Sequence, residues 1–321
     1  MTGATVHHGD CRDVLAQMAR DGVLFDACVT DPPYGLTFMG HKWDDTGVAF
    51  DPATWRAVYD VMRPGAHLLA FGGTRTQHRL VCAIEDAGFE IRDSITWITG
   101  QGFPKSHSAL KPAHEPICVA RKPLDGTVAG NVLRHRCGGL NIDASRVMTG
   151  QSAAPFPRWP ANVIHDGSPE VEAAFAAFGE RTSGGGTIHN KAKPPSVAKG
   201  QEYARIGFAY GDTGSAARFF FSAKASAADR AGSKHPTVKP QTLMRHLCTL
   251  VTPPGGHLLD PFAGSGSTLQ AALRCGFLAT GIEREIEYVR DTRARLALPQ
   301  VDDDDAEPTC RTDPAQRSLF P

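Results

Sequence analysis

Two corners of the same build lie near opposite ends of the chain. In the first, Phe25-Asp26-Ala27-Cys28-Val29-Thr30 leads into Asp31-Pro32-Pro33-Tyr34. In the second, Leu258-Leu259 leads into Asp260-Pro261-Phe262-Ala263-Gly264-Ser265-Gly266-Ser267-Thr268. A short apolar run stopped by proline reads as a buried strand. Proline fixes φ and has no N–H, so each corner is stiff and its carbonyls have no ladder to join. Open α/β sheets place their chemistry on such turns, at the carboxyl ends of strands. The first corner offers one carboxylate, carbonyl acceptors and a ring, a set that suits an amino group on a planar base. An ordinary strand-to-loop turn with a surface tyrosine fits the tetrapeptide equally well.

The second corner is richer. A strand, a Gly-rich turn and a helix (Thr268 to Arg274) are followed by the strand Phe277 to Glu283, so Glu283 stands about 20 residues after the turn, the spacing of a ribose-binding acid. The turn is neither Gly-x-Gly-x-x-Gly nor a P-loop, which makes NAD and ATP the weaker choices. Taken alone, this half-Rossmann unit names a nucleoside ligand and no more.

Together, and in this order, the two motifs resemble those of the amino-methylating DNA methyltransferases of the β class, in which the catalytic motif precedes the cofactor motif. These occur in phages, as solitary enzymes and in restriction-modification pairs. The resemblance spans roughly residues 5 to 295. It implies a Rossmann-like α/β fold with seven mostly parallel strands, a circularly permuted motif order and an inserted target-recognition region. It implies S-adenosyl-L-methionine as cofactor, which carries a ribose but no phosphate, and double-stranded DNA as partner. The catalytic set it implies is Asp31, Pro32, Pro33 and Tyr34. The cofactor set is Asp10, Cys11, Asp31, Lys239, Asp260, Pro261, Phe262, Ala263, Gly264, Ser265, Gly266, Ser267, Thr268 and Glu283, with no metal. In the family, Asp at the first catalytic position usually accompanies adenine N6 and Ser cytosine N4, so Asp31 favours adenine. Cytosine N4, RNA or protein amides, and a non-catalytic DNA-binding regulator are the alternatives. Cytosine C5 chemistry would need a cysteine nucleophile, and the chain has no Pro-Cys dipeptide.

The resemblance divides the chain into a catalytic half (1–120), a target-recognition insertion (121–231), a cofactor half (232–300) and a tail (301–321). In the first, Val6 to Asp10 reads as a strand and Cys11 to Arg20 as a helix, so Asp10 is a helix cap as well as a candidate cofactor contact. Residues 35–44 read as a lid walled by Phe38 and Trp43, or as a packed loop. Pro52 to Met62 and Thr76 to Ala87 read as helices. Gly65 to Gly73, Glu90 to Thr99 and Glu115 to Ala120 read as strands. From Arg121 to Ala231 the alternation gives way to Gly, Pro, Ser and Ala. Part of so long a segment must fold, with Trp159 to Ile164 as one anchor and Ser183 to Lys199 as a loop. Gln241 to Val251 and Arg284 to Leu298 read as helices.

The formal net charge is zero, yet residues 181–239 hold ten Lys/Arg against three Asp/Glu, while Asp302 to Asp305 are acidic. A basic segment neutralises phosphates locally whatever the total, although a solvated loop has the same composition. Eight cysteines without a Cys-x-x-Cys pair argue against a zinc ribbon or disulfide scaffold, and a reducing cytoplasm, without membrane spans, is expected. A homodimer would suit a palindromic site, and sedimentation with and without DNA tests it. The last residues, Gln316, Ser318, Leu319 and Phe320, resemble the peptide by which bacterial proteins dock on the replication sliding clamp. If so, Leu319→Ala with Phe320→Ala should abolish co-elution with the clamp; unchanged co-elution removes the idea.

Overall fold

The two Asp-Pro corners meet because the strands that lead into them are neighbours. The computed structural model describes residues 3–36, 46–100, 102, 107, 110–147, 157–182, 212–223, 229 and 238–298. The first part of the chain forms β1 (Ala4–His8), α1 (Cys11–Arg20), β2 (Phe25–Thr30), α2 (Pro52–Asp60), β3 (Met62–Phe71), α3 (Gln77–Asp86), β4 (Glu90–Ile98) and β5 (His114–Arg121). The middle forms α4 (Val128–His135), β6 (Val163–His165), α5 (Pro169–Ala176), β7 (Arg181–Thr182), β8 (Thr213–Gly214) and β9 (Phe221–Ser222). The last part forms α6 (Gln241–Val251), β10 (His257–Asp260), α7 (Ser267–Arg274), β11 (Leu278–Glu283) and α8 (Ile286–Arg295).

Nine strands form one sheet in the order β1-β11-β10-β2-β3-β5-β4-β6-β9. Only β5 runs against the others. The seven strands from β1 to β4 in this order are the expected Rossmann-like body, permuted so that β10 and β11, last in sequence, lie between β1 and β2. The insertion adds the other two. β6 pairs in parallel with β4 and β9 with β6, so the segment from 121 to 231 is partly built into the sheet. It also folds two helices, α4 and α5, which the Gly-, Pro- and Ser-rich composition did not place. Trp159 to Ile164 does anchor it, through β6.

Helices cover both faces. On β3, Leu68 and Ala70 pack with α1, α2 and α3, while Leu69 and Phe71 pack with α6, α7 and α8. A strand buried on both sides shows no polar alternation, which is why these strands read as plain apolar runs. Gly281, within β11, is required by packing: a Cβ there would stand 2.5 Å from Leu269 Cδ1 and 2.9 Å from Ala263 Cβ. Its absence lets α7 and the Gly-rich turn lie close against the strand.

Three histidines in this fold are held neutral. His67 on β3, His246 on α6 and His257 on β10 are each pushed down to about 4, mainly by burial. The unfolded chain takes up those protons below about pH 6.5. Their contribution is therefore fully present above that pH and is lost as pH falls toward 4. Each histidine costs on the order of 2 kcal/mol by pH 5. Asp260, pushed up to about 6, and Glu283, also raised, both by burial, act in the opposite sense but are two groups against three. The melting temperature should fall by several degrees from pH 7 to pH 5; a flat or rising profile in calorimetry would refute this.

Among the described residues, no helix is long and apolar enough to cross a membrane.

Candidate active site

Strand direction assembles the site. β1, β2, β3, β10 and β11 all end at one edge of the sheet, and β5, running the other way, begins there. The sheet's order turns between β10 and β2, the crevice where open α/β sheets take ligands. Thr30 Oγ1 bridges that crevice, donating to Asp260 Oδ1 at 2.7 Å.

A cavity of about 570 Å³ opens over these strand ends. It is lined by Asp10, Cys11, Asp31, Pro32, Pro33, Tyr34, Lys239, Glu283 and all of residues 260–268 except Gly266. The corners expected to bind different molecules thus share one space. Phe38 and Trp43, the insertion's Ser183 to Lys199 and the four tail residues lie outside the described residues.

On one side, the cavity is bounded by a clasp around the Gly-rich turn. Gly264 and Gly266 have φ of 49° and 74°, a left-handed backbone that glycine adopts without strain. Glu283, at the end of β11, takes the Gly264 N–H on Oε2 at 2.9 Å and the Glu285 N–H on Oε1 at 2.7 Å. Burial raises its pKa. Thr292 of α8 donates to the Gly264 carbonyl at 2.7 Å. Asp260 is 1 % exposed and accepts from Thr30 and from the Phe262 N–H, so most of its reach goes into holding the corner. Asp10 caps α1 by accepting the Arg12 N–H at 2.9 Å, and the Arg12 guanidinium holds its carboxyl below the usual range. Burial pushes the neighbouring Cys11 thiol up to about 12, so it remains a neutral lining group.

At the Asp31 corner the cavity holds a cluster of four charged or polar side chains. Lys239 Nζ lies 2.7 Å from Asp31 Oδ2 and 3.1 Å from Glu115 Oε2. Tyr34 Oη stands 2.8 Å from Asp31 Oδ1 and 3.0 Å from Glu115 Oε2. Burial alone would lower the Lys239 pKa, but the two carboxylates outweigh it and keep the ammonium charged. Burial and the same carboxylates drive the Tyr34 phenol well above its ordinary value. Thr76 Oγ1 donates to the Tyr34 carbonyl at 2.8 Å and fixes the turn.

Lys239, singled out in the sequence for the cofactor, therefore reaches the catalytic turn. In the sequence Glu115 marks only the start of a strand. The acid at the head of His114-Glu115-Pro116 becomes informative once β5 is known to be antiparallel, because that direction brings its first residues, not its last, to the site.

A family model for DNA methylases, N6_N4_Mtase, matches residues 25–294. The chain belongs to this family of N6/N4 DNA methylases. It is 48% identical over 300 residues to YubD of Escherichia coli (strain K12), a protein named as a methylase, covering 91% of this chain and 89% of that one. Over 63 residues it is 44% identical to the type II methyltransferase M2.DpnII of Streptococcus pneumoniae, covering 20% of this chain and 24% of that protein. Among solved structures, TTHA0409 of Thermus thermophilus, complexed with S-adenosyl-L-methionine, matches at a TM-score of 0.52 and 20% identity, over 92% of this chain and 93% of that one. At that identity the likeness is one of fold.

N6/N4 DNA methylases draw their methyl group from S-adenosylmethionine. The residues present fit that ligand. Two positive-φ glycines present no side chain at the turn, and the half-buried Glu283 lines the cavity beside it. Each Glu283 oxygen that accepts one backbone N–H retains acceptor capacity for a ribose hydroxyl.

Proposed function

We propose that the protein methylates the N6 amine of an adenine flipped out of double-stranded DNA. The observation that carries this reading is the position of Asp31, whose carboxylate lines the same cavity as the Gly-rich turn and Glu283. A base within the duplex cannot enter such a cavity, so it has to leave the stack, at a cost of a few kcal/mol.

Each group then has a role. An exocyclic amine is a poor nucleophile because its lone pair is delocalised into the ring. Asp31 and the Pro32 carbonyl accept its two N–H bonds and favour a tetrahedral nitrogen. The Tyr34 ring stacks on the base, offsetting part of the cost of flipping. Lys239 fixes the orientation of the Asp31 carboxylate through the 2.7 Å contact. Glu283 holds the ribose hydroxyls, and the turn at 264–266 lets backbone approach the ligand. Bound there, S-adenosylmethionine supplies an already activated methyl group, so alignment provides much of the acceleration. No covalent enzyme intermediate is needed, in keeping with the neutral Cys11.

The choice of adenine rests on the resemblance: aspartate at the first position of the catalytic turn usually accompanies N6 chemistry. Unmethylated plasmid incubated with protein and cofactor, digested and analysed by nucleoside mass spectrometry, should yield N6-methyladenine. N4-methylcytosine instead would keep the site and reverse the base; no methylated base, with cofactor binding shown, would overturn the DNA substrate.

A further inference from the structure

Glu115 and Asp31 share the same two partners. Each carboxylate is within hydrogen-bonding distance of the Tyr34 hydroxyl and of the Lys239 ammonium. A phenol has one proton and can donate it to only one of the two acids at a time. Asp31 faces the reacting amine on the reading above. Glu115, at the head of the reversed strand, is the more open of the two, its side chain 33% exposed against 21% for Asp31. The hydroxyl is thus a bridge from the inner acid to the outer one.

We propose that Glu115 is a positioning residue that takes away the proton released by methyl transfer, acting through the Tyr34 hydroxyl. The inference rests on Asp31 being the acceptor of the substrate amine. The amine lone pair forms the N–C bond, and the C–S bond breaks with its electron pair remaining on sulfur. The amine nitrogen now carries a positive charge and must lose one proton, which passes to Asp31. Asp31 gives a proton to the Tyr34 oxygen as the Tyr34 O–H gives its own to Glu115 Oε2. Glu115 releases that proton to water, and all three groups return to their starting state. One proton leaves for each methyl group transferred.

The geometry also explains why two acids are present. Lys239 is buried at 8 % exposure, so its charge needs a partner throughout the cycle. When Asp31 accepts the proton and becomes neutral, Glu115 at 3.1 Å still holds the ammonium. The phenol is held far from ionising alone by burial and the flanking acids. It can therefore give its proton to Glu115 only as it takes one from Asp31, which makes the two transfers concerted.

The test is single-turnover methyl transfer to DNA in H2O and in D2O, followed by quench and mass spectrometry. It compares wild type, Glu115→Gln and Glu115→Asp, with cofactor affinity measured by calorimetry for each. Glutamine keeps the size and an acceptor for the Tyr34 hydroxyl but cannot carry the proton. The expected result is a rate loss on the order of 100-fold for Glu115→Gln, with the solvent deuterium isotope effect of the wild type gone. Cofactor affinity should stay within about threefold, and Glu115→Asp should recover part of the rate with the isotope effect restored. Wild-type rate in Glu115→Gln overturns the proposal. So does a rate loss with an unchanged isotope effect, which is what a brace alone would give. Wild type that methylates no base sinks the methyl-transfer reading itself, a result distinct from either.

Discussion

Replacing Asp31 with alanine should lower single-turnover methyl transfer about 1,000-fold or more while cofactor binding is retained. Removing one preorganised hydrogen-bonding group from a reacting centre costs about 100- to 1,000-fold. Asp31 also accepts from Tyr34 and Lys239, so its loss loosens three groups at once. The cofactor clasp is built from other residues, Glu283 and Thr292 among them, and should survive. Lys239 keeps Glu115 as partner, so its buried ammonium is not left alone. Asp31→Asn separates charge from shape: it retains an acceptor for the Tyr34 hydroxyl but weakens both the amine contact and the ion pair. Asparagine should fall between wild type and alanine. If Asp31→Ala keeps more than a tenth of the wild-type rate with the cofactor bound, the carboxylate does not hold the amine.

Much of this site was legible before the fold was known, because its corners are local. Asp31 and Asp260 announce themselves by an apolar run, an acid and a proline. α1 begins and ends where its periodicity places it, from Cys11 to Arg20. Glu283 ends β11 and lines the cavity, where its spacing from the Gly-rich turn leads one to expect it. Direction and register are not local. β5 pairs antiparallel with both β3 and β4, and nothing in Glu115-Pro116-Ile117-Cys118-Val119-Ala120 reports that. That reversal alone brings Glu115 beside Tyr34. Lys239 reaches Asp31 across 208 positions of sequence because α6 packs on the β2 side of the sheet. β6 and β9 are only three and two residues long, too short to show a period in a Gly- and Pro-rich segment, and pairing, of β6 with β4 and of β9 with β6, makes them strands. Asp260 shows the converse: its place was foreseen, but its burial beneath Thr30 and Phe262 depends on two strands meeting.

Glu283→Ala should weaken cofactor binding about 100-fold, measured by calorimetry. Two losses combine. The ribose hydroxyls lose a charged acceptor, and hydrogen bonds to a charged group are worth about 1.5–3 kcal/mol, where 1.4 kcal/mol is a factor of ten in Kd. The N–H groups of Gly264 and Glu285 also lose the acceptors they have at 2.9 and 2.7 Å, which frees the turn that shapes the pocket. Glu283→Gln keeps an oxygen for one of those amides but presents an NH2 to the other, so it should bind more weakly than wild type and better than alanine. The chemistry lies on the far side of the cavity, so saturating cofactor should restore most of the single-turnover rate in either variant. That recovery separates Glu283 from Asp31, whose loss no cofactor concentration should repair. Burial also raises the Glu283 pKa, and the ionised form is the acceptor. Affinity should therefore decline as pH falls through that raised value, and the Glu283→Gln variant should lack the decline. An unchanged Kd in Glu283→Ala would mean that the acid serves the turn and not the ribose.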